Sequence, residues 1–167
     1  GQYSFAIILI QSLGIVSSSV QQFLIPKFSK NSSSKTLFFK ELKMYEKRYF
    51  YVCVGLFFIA QIVLPFLTSL VFNGKYDASI PFFRVLLFGW LIYSGFTLKG
   101  PAFIGLGRLD TSFKISVLVL ALIIPTSISL CYFFGIWGVI VSYLIQRFSN
   151  YLISSYFMNG LKRKMLN

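Results

Sequence analysis

The stretch Ile136 to Met158, IWGVIVSYLIQRFSNYLISSYFM, is an apolar run with Arg147 almost at its centre. As a helix rising about 1.5 Å per residue it is roughly 34 Å long, a little more than the ~30 Å hydrocarbon core of a bilayer. The arginine then sits near the midplane, where a charge costs at least ~2.5 kcal/mol on insertion scales. Such a residue faces a water-filled cavity or a partner rather than lipid. Tyr143, Arg147, Asn150 and Ser154 follow a 4, 3, 4 spacing and share one helical face, with Ser142 and Gln146 beside it. Two readings stand for Arg147: an anion-binding cation in a transport pathway, or an arginine held by carbonyls and polar side chains between packed helices.

The rest of the composition agrees with a bilayer setting. Of 167 residues, 56% are hydrophobic and 19% aromatic, and only 12% are charged. With a mean hydropathy of +0.75 this is a membrane protein, an all-α, multi-pass transmembrane bundle. The chain begins at Gly1, without methionine, and is hydrophobic by Phe5, so the true N-terminus is expected upstream and the chain reads as a fragment. The net charge of +12 comes from 16 Lys and Arg against 4 acids. In a soluble protein that balance points to nucleic acid. Here most basic residues lie between or just after apolar runs, where they set topology and meet anionic headgroups. No nucleic-acid partner is expected. Cys53 and Cys131 fall in different spans near opposite faces and read as packing residues, because a disulfide needs Cα atoms within about 7 Å.

Outward from the arginine run, five spans are predicted: 3–25, 49–72, 80–106, 111–134 and 136–158. Between the last two, Gly135-Ile136-Trp137-Gly138 carries no charge, and its tryptophan suits headgroup depth. Pro125 interrupts the fourth span. The third is longer than a spanning helix needs and holds Arg84, Lys99 and Gly100-Pro101, which predicts a tilted or broken helix. Arg84 snorkels to the interface. Lys99 lies deeper and either joins a cavity or snorkels as well. The second span carries Gln61 near its middle, with a kink expected at Pro65. In the first, Ser4, Gln11, Ser18 and Gln22 share a face that is expensive in lipid and should line an interior surface, and Pro26 closes the run. The basic linker 27–48 is either an interfacial helix, with Phe38, Leu42, Tyr45 and Tyr49 on one face, or a solvated loop. Basic counts of seven, one, two, zero and three in successive connections alternate as the positive-inside rule requires. That puts the linker and the tail 159–167 in the cytoplasm.

The chain offers little for covalent chemistry, and an enzyme is not expected. It has no histidine, and its four carboxylates lie in linkers or turns. No P-loop, metal-ligand pair or Gly-x-Ser-x-Gly elbow is present, so neither cofactor nor metal is expected. The spans supply cations, amides, hydroxyls and tyrosines with proline breaks, which suits binding and conformational change.

Gln22-Phe23-Leu24-Ile25-Pro26-Lys27-Phe28-Ser29, Leu70-Val71-Phe72-Asn73-Gly74-Lys75-Tyr76, Ala102-Phe103-Ile104-Gly105-Leu106-Gly107-Arg108 and Phe134-Gly135-Ile136-Trp137-Gly138-Val139-Ile140 stand at the ends of successive spans. In their order these segments resemble Wzx-type polysaccharide flippases of the multidrug/oligosaccharidyl-lipid/polysaccharide (MATE-like) superfamily. Val139 stands where many relatives have alanine. The resemblance implies the eighth to twelfth helices of a twelve-helix transporter in the bacterial cytoplasmic membrane, with its C-terminus inside and its N-terminal lobe missing from this chain. It further implies transfer of undecaprenyl-diphosphate-linked oligosaccharide between leaflets by alternating access, for surface polysaccharide such as capsule or lipopolysaccharide. Candidate substrate contacts are then Arg147 and Lys99, with Tyr143, Gln146, Asn150, Gln11 and Gln61 lining a cavity. The amides among these equally serve as glue between helices at ~0.6 kcal/mol each. A multidrug exporter would usually carry intramembrane acids, which this chain lacks, and a glycan polymerase or ligase would need a large outer loop.

Overall fold

A computed structural model describes residues 1–166, and among them there is helix and no strand. The elements are α1 (Gln2–Lys30), α2 (Lys35–Phe72), α3 (Ile80–Ser94), α4 (Lys99–Gly105) and α5 (Leu109–Leu166), with single 3-10 turns at Asn31–Ser33 and Asp77–Ser79. Four helical stretches are long and apolar enough to cross a membrane: Gln2–Ser33, Lys35–Phe72, Asp77–Gly105 and Leu109–Met165. The chain is an all-α bundle of a membrane protein.

The last stretch is not one rod. A straight helix of 58 residues would run roughly 87 Å, far beyond a ~30 Å hydrocarbon core. At Gly135 the backbone takes φ 55° and ψ −130°, which glycine adopts without strain. Gly138 then lies so close to the carbonyl of Leu130 that a side chain there would overlap it. Residues eight apart in a straight helix stand about 12 Å apart along the axis, so the chain doubles back at Gly135. It forms two limbs, 109–134 and 136–166.

Pairs of contacts set the directions of the rods. Tyr3 meets Phe82 with ring centroids 6.3 Å apart, and Phe28 lies under Gly105, so α1 runs parallel to α3 and α4. Gly89 faces Tyr143 and Gly95 faces Tyr151, so the second limb of α5 is parallel to α3. Phe5 with Phe72, and Phe28 with Tyr45, make α2 antiparallel to α1. Inside the bundle Phe28, Phe38, Phe83, Trp90 and Phe103 are fully enclosed. In a bilayer such packing acts mainly through van der Waals contact, because lipid tails are as apolar as the core. The arrangement brings the segments 27–48, 99–114 and 155–164, and with them most of the basic residues, to one end of the bundle.

Several sequence expectations shift. Helix α1 continues through Pro26 to Lys30, and the chain turns only at 31–34. The basic stretch is helical and continuous with the apolar part of α2, burying Phe38, Leu42 and Tyr49 and exposing its lysines. The break in the third apolar run falls between Ser94 and Lys99, ahead of Gly100-Pro101. Pro101 thereby becomes the third residue of α4, where no backbone N–H is required. Ser4, Gln11, Ser18 and Gln22 are all exposed, because α1 turns Ala6, Ile10, Ser17, Leu24 and Phe28 into this bundle instead. Cys53 is buried and Cys131 exposed, both as free thiols. Of the basic tail, Asn167 lies outside the described residues.

Substituting Gly138→Ala should destabilise the detergent-solubilised protein by about 1–3 kcal/mol or more, since backbone rather than a flexible side chain opposes the new methyl. Gly55→Ala, in a helix with open space around it, should be neutral or stabilising by up to about 1 kcal/mol. Equal effects of the two on the unfolding temperature would contradict the hairpin.

Candidate functional site

Helix α3 and the second limb of α5 meet at intervals of about one turn. Gly89 lies against Tyr143, Tyr93 against Arg147, Gly95 and Phe96 beside Tyr151, and Lys99 against Ser155. Glycine at position 89 makes the first of these contacts, because any Cβ there would overlap the Tyr143 ring. The close approach places the Arg147 guanidinium near two aromatic rings, with Cζ 4.6 Å from the Tyr93 centroid and 4.8 Å from that of Tyr143. Each such cation–π contact contributes roughly 0.5–1 kcal/mol at an exposed site and ~2 kcal/mol or more when desolvated. Arg147 is 12 residues past Gly135, so it lies roughly 18 Å along its limb, near mid-depth.

Beside the guanidinium is a cavity of about 430 Å³ between α1, α3 and the second limb, lined by Tyr3, Gln11, Trp90, Tyr93, Tyr143 and Arg147 among others. None of the four acids lines it. Two of its donors are buried with no hydrogen-bond partner: Arg147 Nε and the indole N–H of Trp90, a residue only 2% exposed. An orphaned buried donor costs ~1–3 kcal/mol, more when charged. Positive charge, unpartnered donors and the absence of a carboxylate suit an anion.

The other sequence candidates are distributed differently. Tyr143 and Gln11 share the cavity with Arg147. Asn150 faces a smaller polar space of about 160 Å³ with Gln21, Thr97, Ser112, Ser116 and Ser154, and Tyr93 is a wall common to both. There Ser154 Oγ donates to Asn150 Oδ1 at 3.1 Å, and Gln21 Nε2 donates to the Tyr93 hydroxyl at 2.8 Å and to Thr97. Lys99 stands apart. Its Nζ lies 4.9 Å over the Tyr151 ring and donates at 2.5 Å to Ser155 Oγ, and Ser155 is eight residues, about 12 Å of helix, past Arg147. Gln146 and Gln61 are half-buried and do not reach the Arg147 cavity.

Comparison with family models, curated proteins and solved structures finds no match.

Trp90, Tyr93 and Gln21 were not singled out by sequence. Gly89 and Tyr93, one turn apart in a run otherwise nearly free of polar atoms, are the signal that finds this face of α3. Among the described residues, no three of His, Cys, Asp and Glu converge to hold a metal ion.

A cycle of Tyr93→Leu and Arg147→Met, followed by unfolding in detergent, should return a coupling of about 0.5–2 kcal/mol. The same cycle with Lys99→Met in place of Tyr93→Leu should return a value near zero, because the two cations share no partner. Equal couplings would show that the rings do not hold the guanidinium.

Proposed function

We propose that the chain is the C-terminal lobe of a flippase of the multidrug/oligosaccharidyl-lipid/polysaccharide superfamily. In this reading it moves undecaprenyl-diphosphate-linked oligosaccharide from the inner to the outer leaflet of a bacterial cytoplasmic membrane. The observation that carries the proposal is the Arg147 guanidinium. It lies within cation–π distance of both Tyr93 and Tyr143 and lines a cavity, within helices apolar enough to cross a bilayer. A cation kept at that depth without an acidic partner suits an anion in passage, and the diphosphate of a lipid-linked sugar is one.

Other features support the same reading. Two segments that carry the family resemblance pack directly on each other, since a Cβ at Gly105 would come within 2.7 Å of Phe28 Cβ. A third contains Gly135 and Gly138, the residues of the hairpin. Segments rich in lysine and arginine share one end of the bundle, as expected of a cytoplasmic face. The exposed polar face of α1 needs covering in hydrocarbon, which a second helical lobe across the cavity would provide. Action is by binding and rocking of the lobes, with the break between α3 and α4 available as a hinge, and involves no covalent step.

Deleting the complete gene should trap lipid-linked oligosaccharide on the cytoplasmic leaflet. Restoring it with Arg147→Ala should leave surface glycan reduced about tenfold or more, the loss expected for one charge-assisted contact. Arg147→Lys should recover part of the activity, since the charge stays and the planar fork is lost. Wild-type glycan from an Arg147→Ala protein present at normal amount would remove the basis of the proposal.

A further inference from the structure

A separate cavity of about 510 Å³ lies at the basic end, between α2, the C-terminal end of α3 and the second limb of α5. It sits where the lysine-rich part of α2 gives way to its apolar part, the depth of lipid headgroups. Lys43, Glu46 and Lys47 reach it from a single turn of α2, and Phe50, Phe148 and Tyr151 add aromatic walls. One carboxylate oxygen of Glu46 is buried and has no hydrogen-bond partner. The nearby Lys99 ammonium donates its hydrogen bond to Ser155 Oγ and lies over the Tyr151 ring, and it acts on Glu46 through its charge alone.

Charge is arranged in two zones within this one space. Glu46, the negative end of the α3 dipole and the aromatic faces favour a positive group. Lys43 and Lys47, beside the acid, favour a negative one. The orphaned carboxylate oxygen further asks for a group that can donate a hydrogen bond. At headgroup depth, one molecule carries an N–H-bearing cation a few bonds from an anion: an aminophospholipid. Phe50 and Phe148, 39% and 54% exposed, continue the cavity toward where acyl chains would lie.

We propose that this cavity is a headgroup site for phosphatidylethanolamine. The lipid's ammonium donates to Glu46, its phosphate lies against Lys43 and Lys47, and its chains run over Phe50 and Phe148. The site is independent of what the Arg147 cavity carries. Phosphatidylcholine has the same charges but no N–H, and so isolates the contact to Glu46.

The intact protein would be placed in nanodiscs of equal parts phosphatidylethanolamine, phosphatidylcholine and phosphatidylglycerol. After delipidation, the retained lipid would be counted by native mass spectrometry. Phosphatidylethanolamine should be retained about tenfold over phosphatidylcholine, the ratio expected for one charge-assisted hydrogen bond. In Glu46→Gln that preference should vanish. Equal retention of the two lipids by the unaltered protein would overturn the proposal without recourse to any variant. So would preferential retention of phosphatidylglycerol, or a preference for phosphatidylethanolamine that survives Glu46→Gln. Loss of glycan flipping in Arg147→Ala with lipid retention intact would keep this site and the transport reading distinct.

Discussion

A guanidinium inside a helix apolar enough to cross a bilayer is an expensive group, and the geometry around it follows from how that expense is met. No acid is at hand. The rings of Tyr93 and Tyr143 lie 4.6 and 4.8 Å from its Cζ, where α3 and the second limb of α5 approach closely over Gly89. The arginine is thus shielded by quadrupoles rather than neutralised by a counter-charge, which keeps its charge beside the cavity.

Backbone freedom decides where the helices end. Gly135 takes a conformation that other residues adopt only under strain, Gly138 lets the returning limb pass against a carbonyl, and Pro101 begins a helix rather than bending one. Pro26, Pro65 and Pro125 have no such effect, since the helices run through them. In each of these three, the neighbouring turns hold the helix across one missing donor. Proline therefore marks helix ends here only where a loop already precedes it.

The helices were legible in the sequence because apolar runs of this length have few alternatives, and the turn at Gly135 to Gly138 because it carries two glycines and no charge. The grouping of Arg147, Tyr143 and Gln11 was only partly legible. Arg147 and Tyr143 share a face by periodicity, whereas Gln11 comes to them from another helix. Lys99 could not be separated from Arg147 by sequence, since their axial offset depends on the register between α3 and α5, which no local pattern encodes. For the same reason Trp90 and Tyr93 passed unnoticed. The polar face of α1 was visible, but its direction was not, because serines such as Ser12, Ser18 and Ser19 satisfy themselves on carbonyls of their own helix.

The two rings around Arg147 are not equivalent in kinship. Tyr143 precedes the arginine by one turn on the same limb, so it travels wherever the arginine goes. Tyr93 belongs to another helix and stays behind if the two part. Half of the shield is portable and half is fixed. A movement of the second limb of α5 against α3 therefore parts the guanidinium from Tyr93 and leaves it beside Tyr143.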